Sequence, residues 1–173
     1  AFVANTTGAN NVAMGANALG SNTTADSNVA IGKSALYANT TAGNNTAIGY
    51  QSLLANTTAT LNTAVGSRTL STNTTGIRNV AVGYAALEAN DTGNYNVGIG
   101  FSALCVNLAS NNVAMGMSAL GLNTTGANNT AVGHSALYTS TTAANNTAVG
   151  SLALTANTTG AGNTAVGKAA LAA

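Results

Sequence analysis

A glycine recurs along this chain at Gly15, Gly32, Gly49, Gly66, Gly83 and Gly100, then at Gly116, Gly133, Gly150 and Gly167. Every step is 17 residues except the one from Gly100 to Gly116, which is 16. A fixed short period constrains the fold more than local propensity does, because each repeat must bury its apolar side against its neighbours. Numbered by place from its first Asn, the unit reads N-[TV]-A-[VIM]-G-x-x-A-L-x-x-N-T-T-[GA]-x-x. Asn79 to Tyr95 shows it whole, with Asp91 standing for one Thr. The short unit falls between Leu104 and Asn112, and residues 1–173 read as a single repeat domain.

Seventeen residues are too few for a two-helix unit, which needs more than about 30. Places 1–4, as in Asn62-Thr63-Ala64-Val65, alternate with period two and carry β-branched residues. Gly then breaks the run, and N-T-T-G reads as a turn. The spacing predicts two short strands per unit, around places 2–4 and 7–10. The expected fold is all-β, a parallel β-solenoid or β-roll of about ten 17-residue coils stacked about 4.8 Å apart.

Two apolar columns are expected to line the interior. Place 4 holds Met14, Ile31, Ile48, Val65, Val82, Ile99, Met115, Val132, Val149 and Val166. Place 9 holds Leu19, Leu36, Leu53, Leu70, Leu87, Leu104, Leu120, Leu137, Leu154 and Leu171. Strand alternation then turns place 3 outward. That column is Ala13, Ala30, Ala47, Ala64, Ala81, Gly98, Ala114, Ala131, Ala148 and Ala165. Because nothing larger than Ala occurs there, it is the expected interface with another chain, a tight internal turn being the alternative. Asn recurs at place 1 and, as in Asn22, Asn39, Asn56, Asn73 and Asn90, at place 12, where Ser140 replaces it once. Asn tolerates left-handed backbone and bonds to nearby turn groups. Stacked in register, its amide can also reach the coil above and below, a structural role.

The chemistry-bearing residues are few. His134 is the only His and Cys105 the only Cys, and the acids are Asp26, Glu88 and Asp91. One Cys and one His from different repeats supply neither a metal cluster nor a nucleophile pair. A calcium β-roll needs Asp in every coil, and no phosphate-cradling loop occurs. The chain is therefore expected to be no enzyme, with no metal and no cofactor. A net charge of +1 argues against nucleic acid as a partner. No apolar run is long enough for a transmembrane helix. The N-T-T sequons would stack too closely for a glycan on every coil.

Units such as Asn62 to Gly76 and Asn129 to Leu137 resemble the repeats of phage and bacterial tail-fibre-like proteins. More distantly, they are similar to the head repeats of trimeric autotransporter adhesins. The adhesin resemblance implies a left-handed parallel β-roll that trimerises, although those heads usually repeat every 14 residues. Low charge, a single Cys and abundant Asn and Thr fit an extracellular, cell-surface or virion location, and the thin core favours a homo-oligomer, with a surface glycan or receptor as a further expected partner. Ala1–Ala4 and Ala170–Ala173 both match places 8–11 with no cap, so end-to-end pairing into a filament is expected. The function expected is a rigid structural shaft with an adhesive role. The alternative is an ice-binding solenoid using the Thr pairs at places 13 and 14, such as Thr23-Thr24 and Thr57-Thr58.

Overall fold

The structure, a computed structural model, describes residues 1–172; Ala173, at place 11 of the last unit, lies outside the described residues. Each unit contributes one three-residue strand: β1 (Val12–Met14), β2 (Val29–Ile31), β3 (Thr46–Ile48), β4 (Thr63–Val65) and β5 (Val80–Val82), then β6 (Val97–Ile99), β7 (Val113–Met115), β8 (Thr130–Val132), β9 (Thr147–Val149) and β10 (Thr164–Val166). They form one ten-stranded sheet in chain order. Every pairing between successive strands is parallel and joins like places, as in Thr63↔Val80, Ala64↔Ala81 and Val65↔Val82. The chain is thus an all-β parallel β-solenoid of ten coils, with no helix among the described residues.

Backbone hydrogen bonds tie coils together well beyond the strands. Thr63 N–H donates to Asn79 O of the next coil at 2.9 Å, and Gly66 N–H to Ile48 O of the previous one at 2.7 Å. The ladder continues through Arg68 N–H to Tyr50 O (2.9 Å), Leu70 N–H to Ala86 O (3.2 Å) and Thr74 N–H to Asp91 O (3.1 Å). The corner after each strand needs glycine. There φ lies between +120° and +136°, and a Cβ built on Gly66 would sit 2.1 Å from the Gly83 carbonyl oxygen.

The second expected strand does not form among the described residues. Places 7–10 form a turn in which φ is positive at place 7 (+51° to +63°) and again at place 9 (+48° to +53°). This left-handed kinking has a packing consequence. On a straight strand, places 8 and 9 would point to opposite faces, yet Ala86 and Leu87, like most of their counterparts, are both fully buried. Left-handed backbone is unfavourable for a bulky residue such as Leu. Burial of the whole Leu side chain offsets that cost.

The orientation of places 3 and 4 also corrects the sequence reading. The place-3 column faces inward: Ala30, Ala47, Ala64, Ala81, Ala114, Ala131, Ala148 and Ala165 are buried with Gly98, while Ala13 in the first coil is half-buried. It packs in one apolar cluster with the Leu column. Place 4 faces outward, leaving Met14, Ile48, Met115, Val149 and Val166 exposed and Ile31, Val65, Val82, Ile99 and Val132 half-buried. The reason is the thinness of the coil. A Cβ built on Gly98 would already lie 3.2 Å from Leu87 Cγ, so there is room for a methyl group at place 3 but not for Val or Ile. At place 9 the Leu residues from Leu19 to Leu154 are buried, whereas Leu171 in the last coil is exposed.

The other half of the interior is polar. At place 12 each Asn Nδ2 donates to the Asn Oδ1 of the previous coil, from Asn22 to Asn5 through Asn123 to Asn107, at 2.7–3.3 Å. It also donates to its own place-15 carbonyl, as Asn73 does to Gly76 O at 2.9 Å. At place 1, each backbone N–H donates to the Asn Oδ1 of the previous coil at 2.8–3.0 Å, while Nδ2 reaches the place-15 carbonyl of its own unit. Gly76 O therefore accepts from both Asn73 and Asn62. Apart from the step at Ser140, the buried polar atoms of the two amide columns have partners, which makes the columns compatible with burial.

Two irregularities test this construction. The missing residue is absorbed in the Leu108–Ala109 turn, where Asn107 Nδ2 reaches Ala109 O, and both Asn ladders run through unbroken. Ser140, by contrast, is too short for the ladder, and both its Oγ and Asn123 Oδ1 are buried without a partner. Ser140→Asn should restore the ladder and raise the unfolding free energy by about 1–3 kcal/mol, the cost of a buried unsatisfied group. An unchanged or lowered urea midpoint would count against this account of the column.

Candidate functional site

With places 1, 3, 8, 9, 12 and 15 turned inward, three outer surfaces remain. The first is the outer face of the sheet, formed by places 2 and 4. The second, formed by places 6, 7, 10 and 11, carries most of the unit-to-unit variation: Lys33, Tyr37, Tyr50, Arg68, Tyr84, Glu88, Phe101, Cys105, His134, Tyr138 and Lys168. The third is the Thr/Asn corner of places 13, 14, 16 and 17.

The variable face is built by contacts between adjacent coils. Arg68 pairs with Glu88 of the next coil. Glu88 and then the Tyr84 hydroxyl raise the pKa of the guanidinium. Tyr84 stacks on Phe101, ring centroids 5.3 Å apart and planes 15° from parallel. The rings of Tyr37 and Tyr138 lie over Gly20 and Gly121, where a Cβ would come within 2.8 and 2.9 Å of them. Phe101, Cys105, Val106, Gly121, Leu122 and Tyr138 line an open, mostly apolar cleft of about 310 Å³.

Cys105 sits in this cleft but His134 does not. Burial, then Glu88, pushes the Cys105 thiol up, with Arg68 opposing, so it carries less thiolate than a free cysteine. His134 contacts only its neighbour Ser135, Oγ to Nε2 at 3.4 Å, among the hydrogen bonds of the described residues. No three of His, Cys, Asp and Glu come together as a metal site among the described residues. No described helix is long and apolar enough to cross a membrane.

The chain matches no family model, no curated protein and no solved structure. The fold is therefore the parallel β-solenoid, while the likeness to tail-fibre and adhesin repeats rests on the repeat motif.

The Thr pairs divide between environments. Place-13 hydroxyls are turned into the ladder, as when Thr23 Oγ1 donates to Thr40 O at 3.1 Å and Thr124 Oγ1 to Thr141 O at 2.9 Å. Place 14, as in Thr24, Thr58 and Thr75, is exposed. The two ranks do not form one flat hydroxyl array. The place-12 Asn of each N-T-T sequon is buried through most of the stack, with its amide already bonded on both sides. Sequence reasoning missed the outer sheet face, because period-two alternation says which places share a face but not which face is inside.

Proposed function

We propose that this chain is a rigid structural segment of an extracellular, cell-surface or virion fibre, self-associated as a homo-oligomer. The observation that supports it is the unbroken in-register stack of all ten strands. Backbone bonds around each coil and two amide columns inside it resist bending. At about 4.8 Å per coil, the ten strands span about 43 Å. Small-angle scattering should give an elongated particle, and antibodies against the chain should decorate surface fibres or virions of the source. A compact scattering profile, or label confined to the cell interior, would overturn this reading.

An adhesive role is a second reading, favoured by the exposed rings of Tyr37, Tyr50, Tyr84 and Phe101 on the variable face. Aromatic faces of this kind stack on sugars as well as on protein. Binding to immobilised glycans that falls when Tyr84 and Phe101 are both changed to Ala is the expected result; no glycan binding would remove this reading. For ice binding only the place-14 rank is available, so no thermal hysteresis is expected at millimolar protein. A measurable freezing-point gap would restore that alternative.

A further inference from the structure

We propose that the outer face of the ten-stranded sheet is the surface on which a second copy of this chain packs, face to face about a two-fold axis. This rests on the homo-oligomer reading above and assigns it a surface. Every place-2 and place-4 side chain is Val, Ile, Met or Thr, and every charged residue lies on another surface. Even in mid-stack Ile48 is 37% and Met115 42% exposed, and Val65, Val82, Ile99 and Val132 are only half-buried. A solvated sheet face carries polar side chains opposite its buried ones; here the buried rank is Ala and the larger aliphatics point out.

The area suits a partner of this size. Ten strands cover about 43 Å and the two side-chain ranks about 14 Å, so each copy offers roughly 600 Å² and a pair buries roughly 1,200 Å². That reaches the lower bound of stable specific interfaces and the upper end of the apolar patches found on a monomer. The partner's matching pitch follows from identity, because a second copy repeats at the same coil spacing and its ranks can interdigitate along the whole length.

A single opposed partner covers the whole face, because one flat sheet face packs against one other about 10 Å away.

Sedimentation equilibrium over a wide concentration range tests the proposal, with circular dichroism to check the fold. The wild-type chain should reach twice its 16.7 kDa. Val65→Lys combined with Val82→Lys should weaken association at least ~100-fold by placing charge in a dry contact. The isosteric pair Val65→Thr and Val82→Thr, which keeps β-branching and therefore the fold, should weaken it by ~10-fold or more. Thr75→Lys on the corner should change nothing. Assembly unaffected by either pair would overturn the assigned face while leaving self-association standing. A wild-type chain monomeric at every concentration would overturn both, and a trimeric mass would overturn the two-fold arrangement.

Discussion

Ala81→Arg should abolish the fold, whereas Val82→Arg, one residue along the same strand, should leave it standing. Ala81 is fully buried between Ala64 and Gly98 of the adjoining coils. The neighbouring place-3 position shows a Leu side chain 3.2 Å from where a methyl group would sit. Arginine there must either bury an unpaired guanidinium or push the coil open, a loss of about 5 kcal/mol or more. Val82 points outward and is half-buried by its strand neighbours, so the same substitution should cost about 1 kcal/mol or less. Circular dichroism and urea unfolding of the two variants check this directly. Loss of structure in Val82→Arg alone would mean that the faces are assigned the wrong way round, and loss in both would mean that place 4 is buried as well.

That pair also marks where the sequence stops being legible. The 17-residue period is enough to count the coils and to pair like places, since glycine at place 5 pins each corner to the next. It even locates the deletion at Leu104–Asn112, where the extra turn residue is dispensable. The inward face was not decidable from alternation. The larger residues at place 4 suggest an interior, but only the width of the coil, set by Leu reaching across to place 3, excludes them from it. One signal was available: Ala and Leu at the adjacent places 8 and 9 are both nearly constant across units. A straight strand cannot bury both, and the positive φ at places 7 and 9 is how the chain does. With that second wall placed, only a small residue fits opposite. The variable face needed the folded coil, because the cleft takes Phe101 and Cys105 from one repeat, Gly121 from the next and Tyr138 from the one after.

Asn73→Asp should unfold the solenoid at neutral pH and recover in acid, a signature that simple loss of an amide lacks. Asn73 Nδ2 donates to Asn56 Oδ1 at 3.3 Å and Gly76 O at 2.9 Å, and its Oδ1 accepts from Asn90 Nδ2 at 3.1 Å. The side chain is fully buried. A carboxylate would set a second oxygen against two acceptors, in a column with no cation beside it. Desolvation and this repulsion both raise the folded-state pKa of the new acid. The unfolded value stays near the ordinary ~3.9. Between those two values the native state binds more protons than the unfolded chain, so stability falls as pH rises. The penalty starts near pH ~4, grows up to the folded-state pKa and then levels off, reaching about 4 kcal/mol or more for a shift of three units. Below that range the neutral acid can still donate one O–H into the ladder. Asn73→Leu, close in size, is the control. It leaves Asn56 Oδ1 without its donor and Asn90 without its acceptor, costing about 2–5 kcal/mol with no added dependence on pH. Urea midpoints at pH 3.5 and pH 7, each referred to the wild-type chain, separate the two. Equal midpoints for the Asp variant at both pH values would mean that the amide column is open to water.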